Sequence, residues 1–199
     1  MAQKFMETML TPSVLAAQDK SYGRHARVGP APEHDPLGDE EIEFISRRDS
    51  FYMATVSETG WPYVQHRGGK PGFLRVLSPT QLAFADFKGN RQLLSTGNVA
   101  VSDRVTLFLM DYPQQTRLKI LGHARVELAR EHPELVAQLV SAEERSIVER
   151  LFFIDVVSFD WNCPQHITPR YTIGEIEQMV APLKQRIEEL EAEIKKAKS

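Results

Sequence analysis

Short runs of alternating apolar and polar residues fill the middle of this chain, and each run ends at a turn-forming residue. Runs of this length, rich in β-branched and aromatic residues, are typical of β-strands. Strands so short and so closely spaced favour a barrel or a sandwich over βαβ units. The pattern therefore predicts a mainly β protein of the α+β class, with strands over residues 51–56, 63–67, 73–77, 81–85, 105–110, 117–127 and 151–159.

Helical patterns interrupt the predicted strands. Asp39 is placed to cap a short helix over residues 40–48. Pro133 favours a helix over 132–139, because proline suits the first helical turn. A further helix is predicted within 91–101.

The last 27 residues carry the strongest helical signal. Apolar residues recur there at alternating spacings of three and four: Ile173, Ile176, Val180, Leu183, Ile187, Leu190 and Ile194. This is a heptad seam with charged flanks, and it predicts a coiled-coil-like helix that pairs with a second copy. The alternative is an amphipathic helix that packs on a barrel.

Composition and charge limit the classes of function. A net charge of −3 gives no drive toward nucleic acid or an anionic membrane. No apolar run approaches the roughly 18 residues of a membrane-spanning helix, and residues 1–11 lack the apolar centre of a signal peptide. We therefore expect a cytoplasmic protein. The one cysteine, Cys163, excludes an intrachain disulfide and a cysteine metal cage.

Basic residues are concentrated in the segment 59–102, although the whole chain is mildly acidic. The only acid of this segment is Asp86, and its five cations are Arg67, Lys70, Arg75, Lys88 and Arg91. A solvated basic face is one interpretation. The other is an anion site that receives a phosphate.

Two glycine-rich turns lie within the basic segment. Residues 65–74 read Gln-His-Arg-Gly-Gly-Lys-Pro-Gly-Phe-Leu, and residues 86–92 read Asp-Phe-Lys-Gly-Asn-Arg-Gln before Ser95 and Asn98. Glycines let a ligand approach the backbone, and cations beside free amides at a helix start bind phosphate. Each turn alone could be an ordinary solvated loop, but together they favour the phosphate interpretation.

A third polar segment covers residues 161–170. It holds Gln165, His166 and Arg170 between Trp161 and the last predicted helix, with two prolines to fix the backbone. It is either a linker or a loop that lines a ligand site.

Several motifs of other enzyme classes are absent from the sequence. It contains no Gly-x-Gly-x-x-Gly, no Walker loop, no His-Glu-x-x-His and no Gly-x-Ser-x-Gly. Its six histidines show no metal-ligand spacing. Hydrolase chemistry and a metal site therefore have no support from the sequence.

These pieces, taken in order, resemble the flavin-binding split barrel of the pyridoxamine 5'-phosphate oxidase-like superfamily. The matching residues are Phe-Tyr-Met-Ala-Thr-Val-Ser from 51, His-Arg-Gly-Gly-Lys-Pro-Gly-Phe-Leu from 66, Asp-Phe-Lys-Gly-Asn-Arg-Gln from 86 and Ser-Thr-Gly-Asn from 95. Cys-Pro-Gln-His-Ile-Thr-Pro-Arg, from 163, resembles a branch of FMN-binding proteins. The resemblance covers most of residues 40–171.

The resemblance implies a six-stranded Greek-key split barrel, with FMN bound at the interface of a homodimer. It places three groups of residues at the cofactor. The ring and phosphate would be approached by His66, Arg67, Gly68 and Lys70. The phosphate would be held by Lys88, Asn90 and Arg91, with help from Ser95 and Asn98. Gln165, His166 and Arg170 would approach the flavin from the C-terminal loop.

The sequence pattern and the resemblance together divide the chain into three regions and leave several functions open. Residues 1–38 would be an irregular extension, 39–171 the FMN-binding barrel and 172–199 the heptad helix. The leading hypothesis is an FMN-dependent oxidoreductase that acts on an unidentified small molecule. The alternatives are a non-catalytic flavin-binding or storage module, and a haem- or deazaflavin-binding member of the same fold. The pyridoxal-phosphate-binding pattern of the true oxidases is absent from the C-terminal end, so oxidation of vitamin B6 is not expected.

Overall fold

A computed structural model describes residues 2–89, 91–162 and 164–197. Seven strands form one antiparallel sheet in the order β2-β1-β5-β6-β7-β4-β3. The strands are β1 Ser50–Val56, β2 Pro62–Gly68, β3 Arg75–Ser78, β4 Gln81–Phe87, β5 Arg104–Asp111, β6 Thr116–Leu128 and β7 Val148–Trp161. All seven segments named from the sequence pattern thus contain strands, where the resemblance implied six.

The sheet curls around one core without closing in the part of the chain that the structure describes, because β2 and β3 remain as its two edges. This open arrangement is the split of the barrel. Phe51, Phe84 and Phe152 lie at the centre of the core and are each at most 1% exposed. The Phe84 ring contacts the other two. It meets the Phe51 ring edge-on and stacks on the Phe152 ring, with the ring centres 4.9 Å apart. The α+β, mainly β prediction is confirmed.

Within the described residues six α-helices accompany the sheet: α1 Gln3–Met9, α2 Pro12–Tyr22, α3 Asp39–Ser46, α4 Leu94–Val101, α5 Pro133–Leu139 and α6 Ile173–Ala197. The cap of α3 differs from the prediction. Gly38 is the N-cap, and its N–H donates to the Glu41 carboxylate at 2.9 Å, so Asp39 already lies inside the first turn.

The prediction that residues 1–38 are irregular is wrong, because α1 and α2 lie there. Phe5 of α1 is buried, and its N–H donates to the Asp35 carboxylate at 3.1 Å. Glycine and proline are frequent only after Tyr22, and this biased the prediction for the whole segment. The division of the chain into three domains stays a prediction.

Helix α6 has no buried residue. Six of the seven seam side chains are at least 40% exposed, and Val180 is half-buried. The barrel of the same chain therefore does not cover the seam. No helix among the described residues is both long and apolar enough to span a membrane.

Candidate functional site

A cavity of about 250 Å³ opens where edge strand β2 faces the end of β4 and the start of β7. We call it the arginine cavity, because Arg67, Arg91 and Arg150 line it. The inward side chains of β2 form one wall, and the loop after β4 with the first turn of α4 forms the other. Sequence alternation explains the first wall, since residues 63, 65 and 67 share one face of the strand.

Asp86 organises two of these arginines. Its Oδ1 accepts a hydrogen bond from Arg67 Nη1 at 2.6 Å, and its Oδ2 accepts one from Arg150 Nε at 2.9 Å. The pairing of β4 with β7 places Arg150 directly opposite Asp86. The Arg67 side chain reaches Asp86 from β2, which does not pair with β4. All three side chains are at most 15% exposed. One carboxylate therefore fixes two guanidinium groups at a nearly dry wall.

Positive charge remains in excess in the arginine cavity. Three guanidinium groups and one carboxylate line it among the described residues. Arg67 Nε is buried and has no hydrogen-bond partner among the described residues, although the guanidinium also lies over the rings of Phe84 and Phe152. A buried donor without a partner is costly, so a bound acceptor would stabilise it. The wall is thus suited to an anion.

The loop after β4 adds backbone donors to the same cavity. Arg91 and Leu93 both have positive φ values, 60° and 54°, which non-glycine residues rarely adopt. This bend turns the first residues of α4, including Ser95, to the cavity. Among the described residues no side chain caps the α4 N-terminus, and N–H groups at a helix start favour an anion.

Two predicted residues of α4 differ in their placement. Ser95 is buried in the wall of the arginine cavity, where its hydroxyl donates to Gln65 Oε1 at 2.7 Å. Asn98 donates from Nδ2 to the hydroxyl of buried Thr55 at 2.9 Å and does not line this cavity. Both hydrogen bonds tie α4 to β1 and β2, so these residues hold the helix start at the cavity.

In the part of the chain that the structure describes, the other residues predicted to bind phosphate do not line the arginine cavity. Lys88 is exposed, and its N–H donates to Ile147 O at 2.8 Å. Lys70 is exposed as well and lies 3.7 Å from Glu144, a carboxylate whose pKa is held below its usual range by hydrogen bonds from Ser141 and by Lys70. Gly68 ends β2. Asn90 lies outside the described residues.

A second cavity, of about 350 Å³, lies on the outer face of β1, β5 and β6 under the C-terminal loop. We call it the aromatic cavity, because Tyr52, Phe108 and Tyr112 line it together with His166 and Arg170. The Arg170 guanidinium lies 5.1 Å from the centre of the Tyr112 ring. Arg117 also lines this cavity, and its buried Nε has no partner in the part of the chain that the structure describes.

The two cavities share no lining residue, and the predicted site residues divide between them. His66 follows the alternation of β2 to the outer face, where its ring meets Tyr52 of the aromatic cavity at 5.5 Å. Gln165 is exposed and does not line the aromatic cavity. A single barrel therefore keeps Arg67, Arg91 and Ser95 apart from His66, His166 and Arg170.

Sequence reasoning missed Arg150 and Arg117 as site residues. Arg150 lies 59 residues beyond Arg91, immediately before the predicted strand 151–159, and only sheet pairing brings it to Asp86. The signal for Asp86 was present, since a lone acid among five cations is expected to pair with one of them. Among the described residues no group of His, Cys, Asp or Glu is arranged to hold a metal ion.

A family model described as pyridoxamine 5'-phosphate oxidase matches residues 37–157 of the chain. The chain belongs to the pyridoxamine 5'-phosphate oxidase family. This match covers β1 to β6, most of β7 and the whole arginine cavity, but it ends before the C-terminal loop and α6. The pyridoxamine 5'-phosphate oxidase family is a family of flavin-binding proteins. No curated protein matches the chain.

Solved structures show the same fold at low sequence identity. HupZ of Group A Streptococcus has a TM-score of 0.51 at 13% identity, over 68% of this chain and 99% of that chain. A candidate pyridoxamine 5'-phosphate oxidase from Lactobacillus delbrueckii has a TM-score of 0.50 at 19% identity, over 63% and 93%. At such identities these neighbours show the split-barrel fold and nothing about the ligand.

Proposed function

We propose that this protein is an FMN-binding oxidoreductase that works as a homodimer on a small molecule. The observation that carries the proposal is the arginine cavity of a chain in a flavin-binding family. Arg67, Arg91 and Arg150 line it beside the start of α4, and Asp86 accepts hydrogen bonds from Arg67 and Arg150. A phosphate monoester carries about −1.5 to −2 charges near neutral pH, which suits this excess of positive charge.

The residues present fit the phosphate end of FMN. Arg67 and Arg150 both line the cavity, and Asp86 holds their guanidinium groups in fixed positions. Charge-assisted hydrogen bonds from such groups are stronger than neutral ones. Arg67 and Arg150 would hold the phosphate from the sheet, and Arg91 with the α4 amides would hold it from the loop.

The size of the arginine cavity supports a shared site. At about 250 Å³ it is smaller than the roughly 300–1,000 Å³ of sites that enclose a whole cofactor-sized ligand. The aromatic cavity has the flat apolar walls and polar groups that suit a ring system, but it opens on the other face of the same strands. Two protomers that bring one cavity of each kind together would enclose a whole nucleotide.

When bound, the flavin supplies hydride or electron transfer, which explains why no conventional acid–base or nucleophilic set is needed in the protein. The contributions of the chain are then binding and orientation. Asp86 fixes the arginines, Ser95 fixes α4 through Gln65, and the rings of Tyr52 and Phe108 exclude water from their side of the site.

The absorbance spectrum of the purified protein, with the mass of any ligand released on denaturation, tests the cofactor. We expect a yellow protein that releases FMN, or an apo-protein that takes up added FMN with a matching spectrum. A colourless protein that does not bind added FMN would contradict the proposal. A Soret band after reconstitution would instead favour haem, and a released deazaflavin mass would favour that cofactor.

A non-catalytic flavin-binding module is the second candidate, and it is favoured by the absence of an acid–base set in the described lining of the arginine cavity. Anaerobic reduction of the flavin by nicotinamide donors, followed by reoxidation with candidate acceptors, separates the two. Repeated turnover with a donor and an acceptor supports the oxidoreductase. Flavin that stays bound but is not reduced by any donor supports the module.

A further inference from the structure

Helix α6 presents six of its seven seam residues to solvent. Ile173, Leu183 and Ile187 are 77%, 64% and 55% exposed, and the helix continues to Ala197. Thr172 and Glu175 form a reciprocal cap at its start, in which the Thr172 N–H donates to the Glu175 carboxylate and the Glu175 N–H donates to the Thr172 hydroxyl. A defined start and an uncovered seam indicate that another helix covers it.

The residue types along the seam select the partner. In heptad notation the a positions are Ile173, Val180, Ile187 and Ile194, all β-branched, and the d positions are Ile176, Leu183 and Leu190. β-branched residues at a with leucine at d favour two parallel strands over trimers and tetramers. Pro182 occupies a c position, outside the seam, so the turn that it disturbs does not face the partner helix.

The charges beside the seam select the direction of the partner. Arg186 is a g residue and Glu191 is the e residue of the next heptad, so in a parallel pair each Arg186 faces Glu191 of the other copy. In an antiparallel pair that aligns the full seam, Lys184 would face Lys184 of the other copy and Arg186 would face Arg186. Both contacts join like charges and are repulsive. An antiparallel pair in which opposite charges meet must be shifted along the helix axis. That shift leaves at least one heptad of each helix without a partner.

From these observations we infer that α6 forms a parallel two-stranded coiled coil with α6 of a second copy of this chain. Within one chain Arg186 donates to Glu189 at 3.0 Å, one turn further on an exposed face. Such an exposed pair contributes little, so Arg186 can turn to the partner at small cost. The inference stands whether or not the protein binds flavin.

Disulfide trapping in the full-length chain tests the direction. In a Cys163→Ser background, Ile176→Cys and Leu190→Cys are made separately; these positions lie fourteen residues apart, about 21 Å along the helix. A parallel pair brings each position within disulfide reach of its own copy, roughly 4.4–6.8 Å between Cα atoms. We expect both variants to form linked dimers under mild oxidation. Gln178→Cys, on the outer face, is the matched control and should remain unlinked.

The other outcomes overturn the inference. In the full-seam antiparallel pair neither position meets its own copy, so neither variant would link. A seam covered by the partner's barrel would also leave both unlinked. Linking of the Gln178→Cys control at the same yield would show random collision. A mass above two chains in sedimentation equilibrium would exclude the two-stranded form.

A charge exchange gives a second readout in the Leu190→Cys background. Arg186→Glu would place two glutamates together and should remove most of the linked dimer, while Arg186→Glu with Glu191→Arg should restore it. Absence of that rescue would overturn the parallel pairing. Flavin content is measured on the same samples, so a failure of helix pairing and a failure of cofactor binding remain distinguishable.

Discussion

At the scale of single residues, Asp86 and Arg150 form the contact on which the arginine cavity depends. Arg150 lies on β7, outside the basic segment, and is held by Asp86 Oδ2 and by Glu149 at 2.9 Å each. The Arg150 side chain is only 15% exposed. Because water screens it little, its attraction for a neighbouring phosphate would be strong. In the proposed FMN site Arg150 would therefore bind the phosphate as well as pair with Asp86.

We expect Arg150→Gln to weaken FMN binding by about tenfold to a hundredfold, since a charge-assisted hydrogen bond contributes roughly 1.5–3 kcal/mol. Titration of the apo variant with FMN and with riboflavin measures this. Riboflavin lacks the phosphate, so its affinity should change much less. Arg145→Gln, whose arginine is exposed and reaches only Ala137 O, is the matched control. An equal loss for both ligands would contradict a phosphate role.

Arg91 gives a second test from the loop side of the cavity. Arg91→Ala should weaken FMN binding more than Arg75→Ala, because Arg91 lines the arginine cavity, whereas Arg75 does not line it and donates to Gln138 O at 3.4 Å. Isothermal titration with both ligands measures the difference. If Arg75→Ala lowered FMN affinity as much as Arg91→Ala, the phosphate would have to lie elsewhere.

Glu127 makes a pH-dependent contribution to stability. The hydrogen bond from Arg125, with a smaller effect of His132, holds the pKa of Glu127 below its usual range. A depressed carboxyl pKa in the folded state stabilises the protein above the unfolded value, about 4.3, and this stabilisation is lost as the pH falls through the folded value. Glu127→Gln should therefore lower the free energy of unfolding by about 0.5 kcal/mol at neutral pH.

Urea unfolding at pH 7 and near pH 3 checks the sign of this effect. The gap between the wild type and Glu127→Gln should close as the pH falls below about 4. Glu58→Gln, at an exposed position of the turn between β1 and β2, serves as the control and should show no such gap. A gap that widened in acid would show that the carboxylate is not stabilised by its neighbours.

At the scale of elements, Gly122 allows β6 and β7 to change register. The pairing shifts between Leu121 and Gly122, and a Cβ atom at Gly122 would lie 2.7 Å from both Asp155 O and Ile154 Cγ2. Backbone cannot withdraw from such a contact without moving the strand. The bulge is therefore a position that only glycine fills without strain.

We expect Gly122→Ala to destabilise the protein by about 1–3 kcal/mol, as overpacking of a tight site does. Chemical unfolding followed by circular dichroism measures it. Gly97→Ala is the control, because a Cβ at Gly97 of α4 meets nothing within 4 Å. That substitution should be neutral or stabilise by up to about 1 kcal/mol. Equal losses at both positions would mean that the close approach at Gly122 is not what constrains it.

At the scale of the whole molecule, the separation of the two cavities leads to a complementation test. If one flavin site combines the arginine cavity of one protomer with the aromatic cavity of the other, two defective variants can restore each other. Arg91→Ala disables the first cavity and Arg117→Ala the second. After mixed refolding, about a quarter of the sites should have both cavities intact, as random assortment into symmetric dimers requires.

Flavin bound per chain, measured by absorbance after gel filtration, reports the outcome. Each variant alone should retain little flavin at limiting concentration, and the mixture should recover it. A mass tag on one variant verifies that mixed dimers have formed. If they form and flavin binding does not recover, either both cavities of a site belong to one protomer or one of the cavities is not part of the site.

The sequence by itself determined the strand segments, the α+β class and the residues of the basic loops. These are local properties: alternation sets which face of β2 a residue occupies, and the glycine-rich turns mark where strands end. The seam of α6 was equally visible, because the heptad spacing and its flanking charges lie within one helix. The helices of residues 3–22 were missed, because the glycine and proline signals that follow them dominated the interpretation of the segment.

Only the tertiary structure decided which of these residues share a site. His66 and Arg67 are neighbours in sequence, yet the period of two in a strand sends them to opposite faces and to different cavities. Arg150 and Asp86 are distant in sequence, and the register of β4 with β7 joins them. Local pattern fixes the direction of each side chain, whereas long-range pairing fixes its neighbours, and a binding site consists of neighbours.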